Sequence, residues 1–371
     1  MRIAYLGSKG LPSKSGTERV VESVVSRLSG KHEITVYCDS RYTPKGTQVD
    51  GVRLVRIFSL KGKHAQAASY FILSALHALF SRYDVIHLQG VDSCFILPIL
   101  RLKYKVVATA HGTPGRLTRL KWGKIAWFFI RSMEYPFVYL SNSPTSVSYL
   151  DAEYLKARYK RDVIYIPNGV DERVQSDVEK ARGKLLEVGL EPGNFLMFAA
   201  GRIDPTKGCH LVLEALNRMG NPLKLAIVGD LNQVPSYSDH LRESADKTQV
   251  VFIPPISDRR LLFGLVALAR LFIFPSTSEG MSMMLLEAAS LQAPVICSDI
   301  PENKIVMQEN AVYFRSDDAC DLENQIRWAL AHPDEMSGMA RQASLHVKAT
   351  LTWEEIAGQY EEVYEACVKS R

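Results

Sequence analysis

The amino-acid sequence predicts an α/β protein with two doubly wound parallel sheets that face each other across a cleft. Three observations predict this fold. Short apolar runs alternate with amphipathic helical stretches, which is typical of parallel sheets covered on both faces. The pattern stops at the turn signal Pro167-Asn168-Gly169 and then restarts. The chain of 371 residues is also long enough for two cores.

The first predicted domain covers residues 1–167. It opens with a strand at residues 2–7, and a helix from Thr17 to Leu28 follows with a stripe of valines on one side. Further strands are predicted at 33–38, 52–57, 84–89, 105–111, 137–143 and 162–166, with a helix at 65–81.

The second predicted domain covers residues 168–349 and repeats the alternation without repeating the sequence. Its strands are predicted at 195–200, 224–229, 250–254, 271–274, 294–297 and 312–314, with helices between them. Residues 350–371 follow, and Trp353 to Val368 has the apolar periodicity of an amphipathic helix.

The composition indicates a globular protein, because 47% of the residues are hydrophobic and 23% are charged. The six cysteines are scattered without a C-x-x-C pair or a Cys/His ligand spacing, so we expect neither a disulfide framework nor a zinc site. Met1 leads directly into a strand, and no apolar run reaches the ~18 residues of a membrane-spanning helix. We therefore expect a cytoplasmic protein without a signal peptide.

The charge is distributed unevenly along the chain. Residues 1–166 contain 25 Lys and Arg against 11 Asp and Glu, whereas residues 167–371 contain 20 against 29. A basic half joined to an acidic half suggests that the first half meets an anionic partner. Nucleic acid, a membrane surface and a phosphorylated substrate all have that charge.

The strongest candidate site lies at residues 274–291. A buried strand ends at Phe274, a polar turn contains Glu279, and a helix predicted from Ser282 carries Glu287 about two turns inside. The free N–H groups of a helix start can bind phosphate, and carboxylates accept hydrogen bonds from sugar hydroxyls. The alternative is an acidic residue that favours the helix dipole and a second glutamate on a solvated face.

A second candidate follows the first strand of the second domain. Gly201-Arg202-Ile-Asp-Pro-Thr-Lys207-Gly208 places a guanidinium and an ammonium in one glycine-flanked turn. The two cations could reach the oxygens of one diphosphate. The alternative is a solvated basic loop.

Two positions in the first domain also lie at predicted strand ends. Gly16 could let backbone amides approach a phosphate at the start of the first helix, although the dinucleotide-binding G-x-G-x-x-G spacing is absent. His111 follows a strand and precedes a glycine, so it could point into a cleft or serve as a structural histidine. His87 faces the same choice and is interpreted as structural. Because ligands bind beyond the carboxyl ends of parallel strands, all these positions predict a site between the domains.

Residues 115–131 mix basic and aromatic side chains, among them Arg116, Lys121, Trp122 and Trp127. This combination suits an anionic membrane interface. A helix that buries its aromatic residues in the core and leaves the basic ones outside would have the same pattern. Nucleic acid is disfavoured, because the sequence contains no recognised binding module.

Together these motifs resemble the retaining glycosyltransferases of the GT-B fold, in the large bacterial group of glycosyl transferases group 1 that builds surface polysaccharides. The resemblance covers essentially the whole chain. Its most specific part is Glu279-x7-Glu287 within Pro-Ser-x-x-Glu-Gly-x5-Leu-Glu-Ala, followed by Gly-Arg-x-Asp-x-x-Lys-Gly at 201–208 and Ile-Pro-Asn-Gly-Val-Asp at 166–171.

The resemblance implies two Rossmann-like domains, a tail helix that crosses back to the first domain, and a role for each matched residue. Arg202 and Lys207 would neutralise the donor diphosphate, Glu279 would hold the donor sugar, and His111 would contact the sugar near the reacting carbon. The remaining donor-binding residues would be Gly16, Gly201, Met281, Ser282, Met283 and Glu287, with Glu287 on the ribose and backbone amides at 281–283 on the phosphates.

The implied activity is retaining transfer of a hexose from a nucleoside-diphosphate sugar, such as a UDP-sugar, to a lipid-linked or surface-polysaccharide acceptor. The reaction would take place at the cytoplasmic membrane face. No Asp-x-Asp motif appears, so no metal and no cofactor are expected. The alternatives are a sugar-nucleotide epimerase on the same fold and a non-catalytic sugar-nucleotide-binding protein.

Overall fold

The structure is a computed structural model that describes residues 1–116, 124–220, 223–245 and 249–369. For residues 63, 64 and 124–126 it describes the backbone only. The chain forms two compact units. Unit 1 contains Met1–Gly169 and Trp353–Arg371, and unit 2 contains Val170–Thr352. The change of unit therefore falls at the Pro-Asn-Gly turn, and the tail helix belongs to unit 1.

Unit 1 contains a parallel sheet with the strand order β3-β2-β1-β4-β5-β6-β7 in its described residues. The strands are β1 (Arg2–Leu6), β2 (Glu33–Asp39), β3 (Val52–Ile57), β4 (Val85–Gln89), β5 (Lys105–Ala110), β6 (Ser143–Ser146) and β7 (Ile164–Tyr165). The helices are α1 (Gly16–Leu28), α2 (Lys63–Leu79), α3 (Leu97–Leu100), α4 (Lys124–Ser132), α5 (Glu134–Leu140) and α6 (Tyr149–Tyr159), with a 3₁₀ turn at Val91–Ile96.

The strand predicted at 137–143 is wrong. Residues 134–140 form helix α5, and the strand of this region is β6, which has the sequence Ser-Pro-Thr-Ser. The buried residues Glu134, Phe137 and Val138 follow a helical spacing rather than the alternation of a strand. The short apolar run fitted both periods, and the burial of Glu134 decides between them.

The last helix, α15 (Trp353–Lys369), packs against α1, β4 and β5 of unit 1. A buried polar chain joins it to the sheet. The Tyr364 hydroxyl lies 2.7 Å from the Tyr5 hydroxyl and 2.7 Å from His87 Nδ1, and His87 Nε2 lies 2.6 Å from Thr109 Oγ1. Burial lowers the pKa of His87 to about 3, so the ring is neutral at physiological pH. His87 is a structural residue of this core.

Unit 2 contains a second parallel sheet, with the order β10-β9-β8-β11-β12-β13 in its described residues. The strands are β8 (Phe195–Arg202), β9 (Lys224–Asp230), β10 (Val250–Ile253), β11 (Leu271–Phe274), β12 (Val295–Ser298) and β13 (Val312–Phe314). The helices are α7 (Val178–Glu187), α8 (Cys209–Met219), α9 (Pro235–Ala245), α10 (Arg259–Leu268), α11 (Met283–Ser290), α12 (Pro301–Met307), α13 (Ala319–Ala331) and α14 (Pro333–Thr350).

The strand order of unit 2 places a topological switch point beside its first strand. The chain runs from β8 to β9 on one side of the sheet and from β11 to β12 on the other. In such sheets ligands bind at the carboxyl ends of the strands that flank the switch. The predicted two-sheet α/β fold is confirmed. No helix among the described residues is both long and apolar enough to cross a bilayer.

Candidate functional site

The loops that follow β8 and β11 are bonded to each other at the switch point of unit 2. Thr277 N donates to Thr206 O at 2.9 Å. Gly208 has a φ of +68°, and a Cβ built there would lie 2.1 Å from Pro275 O. Only glycine fits this close approach without strain. Gly208 therefore allows the loop that carries Lys207 to lie directly against the end of β11.

Lys207 and Glu279 meet across these two loops. Lys207 Nζ lies 2.5 Å from Glu279 Oε1, and the two side chains are only 20% and 11% exposed. The ion pair holds an ammonium at the end of β8 beside a carboxylate at the end of β11. An ammonium has three N–H donors and this bond uses one, so Lys207 can also donate to an anionic ligand.

Arg202 is oriented by Asp204, which is itself fixed by its own loop. Asp204 is buried, and its Oδ1 accepts the backbone N–H of Thr206 at 3.0 Å, while its Oδ2 lies 2.9 Å from Arg202 Nε. This ion pair is made through Nε of the guanidinium. The Arg202 side chain is 47% exposed, which leaves it accessible to a ligand.

Helix α11 begins beside Glu279 with a side-chain cap. Ser282 Oγ accepts the N–H of Leu285 at 3.3 Å, and Met283 is the first helical residue. The positive end of the helix dipole therefore lies near the Lys207–Glu279 pair in sequence and in the fold. Gly201, Met281, Ser282 and Met283 remain predicted donor-binding residues.

Glu287 is buried rather than solvated, and it pairs with an arginine that the sequence analysis did not select. Arg259, the first residue of α10, places a terminal nitrogen 3.0 Å from Glu287 Oε1, and the Glu287 side chain is 4% exposed. The Arg259 guanidinium carbon lies 5.1 Å from the centre of the Phe263 ring. The only local signal for Arg259 is its position after Asp258, the N-cap of α10, and that signal does not reveal a partner 28 residues away.

In unit 1, His111 directly follows β5, and Gly16 begins the first helix after β1. His111 Nε2 is 2.7 Å from Gln89 Oε1, and desolvation lowers the pKa of His111 to about 4, so this ring is neutral at physiological pH. Gly16 is the first residue of α1, and a Cβ built there would meet no atom within 4 Å. The space beside Gly16 is open, and the donor contacts of His111 and Gly16 stay predictions.

The basic and aromatic segment at 115–131 lies partly outside the described residues, which resume with α4. In α4, Phe128 and Phe129 are 72% and 52% exposed, so these two rings are not part of the core. The Arg131 guanidinium carbon lies 4.9 Å from the centre of the Trp127 ring. The side chains described here are consistent with a surface role for the segment.

Within the described ranges, no cluster of three or more His, Cys, Asp or Glu side chains could hold a metal ion. The metal independence expected from the sequence stays a prediction. The candidate site of unit 2 combines a helix start with three cations, Arg202, Lys207 and Arg259, each paired with a carboxylate.

Two family models match the chain. The model described as glycosyl transferases group 1 matches residues 185–346, and the model described as glycosyltransferase family 4 matches residues 14–174. The first match contains all the candidate residues of unit 2. The second contains Gly16 and His111.

Individual proteins match over most of the chain. The O-antigen biosynthesis glycosyltransferase WclY of Escherichia coli is 24% identical over 316 residues, which are 81% of each chain. The sucrose-phosphate synthase of Thermosynechococcus elongatus is similar in structure, with a TM-score of 0.81, 19% identity and 98% of each chain covered. Anabaena HepE, solved in complex with UDP and glucose, has a TM-score of 0.81 at 15% identity, with 99% of this chain and 100% of that one covered.

Proposed function

Since the chain belongs to the glycosyl transferases group 1 and has the GT-B fold, we propose that it transfers a hexose from a nucleoside-diphosphate sugar with retention of the anomeric configuration. The acceptor in this proposal is a lipid-linked or surface saccharide. The observation that carries the proposal is the Lys207–Glu279 pair at the switch point of unit 2. It places a cation for phosphate and a carboxylate for sugar hydroxyls side by side.

Each group of the site matches one part of such a donor. Arg202 and Lys207 would neutralise the diphosphate, and the amides at the start of α11 would donate to its oxygens. Glu279 would accept hydrogen bonds from the sugar, and Glu287, held by Arg259, would accept them from the ribose. Their existing ion pairs keep these side chains in place before the donor binds, which lowers the cost of ordering them.

The chemical contribution of these residues is electrostatic. As the bond between the anomeric carbon and the diphosphate oxygen breaks, negative charge grows on the leaving group, and fixed cations stabilise it. The acceptor oxygen bonds to the anomeric carbon on the same face, and its proton passes to an oxygen of the leaving diphosphate. The atoms balance without a protein nucleophile and without a metal.

Two observations support the acceptor class and the location. WclY is named for O-antigen biosynthesis, and it aligns with 81% of this chain. Unit 1 carries 27 Lys and Arg against 16 Asp and Glu, a balance that favours an anionic membrane surface. We therefore place the reaction at the cytoplasmic face of the plasma membrane, in polysaccharide biosynthesis.

The test is a panel of UDP-, GDP- and dTDP-sugars, with release of the nucleoside diphosphate measured for the wild type and for Glu279→Gln. HepE was solved with UDP, so we expect release from a UDP-sugar. The variant keeps the volume of the side chain but lacks the carboxylate charge, and we expect it to lose most of the release. Glu191→Gln, in the α7–β8 connection of the same unit, is the matched control.

Each outcome discriminates between activities. Conversion of one sugar nucleotide into another without diphosphate release would indicate an epimerase. Binding of a donor with no turnover in the presence of saccharide acceptors and membrane extract would indicate a sugar-nucleotide-binding protein. The NMR coupling constant of the anomeric proton in the product tests retention directly, and inversion would contradict it.

A further inference from the structure

Helix α2 of unit 1 presents an apolar side to solvent. Ile72, Leu73, Leu76 and Phe80 are all exposed, and Phe80, directly after the helix, is 92% exposed. Their spacing of one, three and four residues places them on one side of the helix. The opposite side, with Tyr70, Ala75 and Ala78, is buried in the core of unit 1.

Two further exposed apolar residues extend this surface at its ends. Leu60 N donates to Ser69 Oγ at 3.0 Å, which places Leu60 beside the first half of α2. Lys103 Nζ donates to Leu79 O and to Ser81 O, both at 2.7 Å, which ties the turn that contains Leu102 to the end of α2. We call the α2 face the surface formed by Leu60, Ile72, Leu73, Leu76, Phe80 and Leu102.

The segments that carry this surface contain cations and no acidic residue. Residues 51–83 contain five Lys and Arg and no Asp or Glu, and residues 93–133 contain eight and none. Lys61 and Arg82 are exposed at the two ends of α2. Apolar side chains bordered by cations match the chemistry of a bilayer with anionic headgroups, which accepts both.

A series of helix contacts that starts at α2 leads to further exposed apolar residues. The contacts run from α2 to α3, from α3 to α5 and from α5 to α4. Helices α4 and α5 expose Phe128, Phe129, Tyr135 and Tyr139. Of the 19 large apolar side chains exposed in the described residues, 15 belong to unit 1. Single exposed apolar residues are common on protein surfaces, but several on one side of a helix, as in α2, indicate an interaction site.

We propose that the α2 face docks unit 1 on an anionic lipid bilayer. The apolar side chains enter the headgroup region, and Lys61 and Arg82 remain at the phosphate level. A protein partner with an apolar groove would not require the long acid-free flanks, whereas an anionic surface does. This surface differs from residues 115–131, because α2 precedes that segment and all the residues of the α2 face are described.

The proposal deepens the proposed function and rests on it in one respect, since a lipid-linked acceptor is what would make bilayer docking useful. The two can fail separately. Vesicle binding is measured without donor or acceptor, and donor turnover is measured without vesicles.

The test is co-sedimentation of the full chain with vesicles of phosphatidylcholine alone and with vesicles in which part of the lipid is phosphatidylglycerol. The variant Leu73→Ser/Leu76→Ser/Phe80→Ser removes the apolar side chains of α2. We expect it to lower binding to anionic vesicles by more than about tenfold. The matched control is Leu186→Ser/Leu345→Ser, at two exposed apolar positions of unit 2, and we expect it to bind as the wild type does.

A charge variant provides a second, independent measurement. Lys61→Gln/Arg82→Gln leaves the apolar side chains in place, and we expect about fivefold weaker binding for each charge removed. Added salt should weaken binding of the wild type to anionic vesicles, because it screens exposed charges. Near-UV circular dichroism of all the variants checks that unit 1 keeps its packing.

Three results would overturn the proposal. One is equal binding of the wild type to neutral and anionic vesicles, or no binding to either. Another is wild-type vesicle binding by the triple serine variant. The third is a lipid-free wild-type dimer that the triple serine variant converts to a monomer, because the α2 face would then belong to a second copy of this chain.

Discussion

The two units have the same strand order in their first six strands but very different surfaces. The order β3-β2-β1-β4-β5-β6 of unit 1 corresponds to β10-β9-β8-β11-β12-β13 of unit 2. Unit 1 has 27 Lys and Arg against 16 Asp and Glu, and unit 2 has 18 against 24. Unit 1 also exposes 15 of the 19 large apolar side chains noted above.

This difference shows that the net charge of a unit does not determine where an anionic ligand binds. The unit proposed to hold an anionic diphosphate is the acidic one, and its cations Arg202, Lys207 and Arg259 are each paired with a carboxylate. In the basic unit, 13 of the 27 Lys and Arg lie in the acid-free segments 51–83 and 93–133, which also carry the α2 face. Specific anion binding therefore depends on a few fixed side chains, whereas binding to an extended anionic surface depends on the sum of many.

The largest expected effect on activity comes from removing a cation of unit 2. We expect Lys207→Gln to reduce nucleoside diphosphate release by about 10²–10³-fold, because the leaving group loses a fixed charge. The triple serine variant of the α2 face should retain wild-type release in solution. Loss of release in both variants, with Lys207→Gln no worse than the other, would contradict the division between the units.

A backbone substitution tests whether the loop of Lys207 is held by its close approach to β11. We expect Gly208→Ala to lower the free energy of unfolding by about 3 kcal/mol, because the left-handed φ is strained and the new Cβ meets Pro275 O. Gly220 has a similar φ of +72° with no atom within 4 Å of a Cβ. Gly220→Ala should therefore cost only about 1 kcal/mol. Equal losses in chemical denaturation would show that the contact is unimportant.

The buried ring of His87 in the core of unit 1 should make the stability of the protein depend on pH. The pKa of His87 falls from 6.5 in the unfolded chain to about 3 in the fold, so below pH 6.5 only the unfolded state takes up this proton. The free energy of unfolding should decrease as pH falls, with about 1.4 kcal/mol per pH unit from His87.

The measurement is urea unfolding of the wild type and His87→Gln at several pH values between about 4.5 and 7. The variant should have the smaller slope, whatever its absolute stability. A His87→Gln slope equal to that of the wild type would contradict the assignment of a neutral buried ring.

The smallest expected effect concerns the arginine that positions Glu287. We expect Arg259→Gln to weaken nucleoside diphosphate binding by about tenfold, because Glu287 loses a charge-assisted hydrogen bond that orients it. Arg259→Lys should restore part of the affinity, and Arg260→Gln, at the next position of α10, should have no effect. Calorimetric titration measures all three, and equal affinities for Arg259→Gln and Arg260→Gln would remove Arg259 from the site.

The sequence was sufficient for the parts of the molecule that local patterns determine. The buried strands, the Pro-Asn-Gly boundary and the loops that carry Lys207 and Glu279 all follow from apolar runs and glycine positions. Helix α5 was missed because Phe137 to Leu140 fits a strand and a helix equally well, and only the burial of Glu134 separates them. Tertiary packing, rather than the local sequence, therefore decides between strand and helix here.

Ion pairs between residues that are distant in sequence could not be predicted either. Nothing near Arg259 indicates that it pairs with Glu287, and nothing near Lys207 indicates that Glu279 is 2.5 Å away. The α2 face was also missed, because an apolar helix in an α/β pattern is expected to be buried. Its exposure becomes apparent only when the sheet has covered its other side.

The most direct test of the division between the units is calorimetric titration of UDP, GDP and dTDP into the wild type, the Arg202→Gln/Lys207→Gln variant and the triple serine variant of the α2 face. We expect one nucleotide to bind the wild type and the serine variant equally, and to bind the variant without the two cations more weakly by about a hundredfold or more. Unchanged affinity in the variant without Arg202 and Lys207 would contradict the placement of the donor site in unit 2.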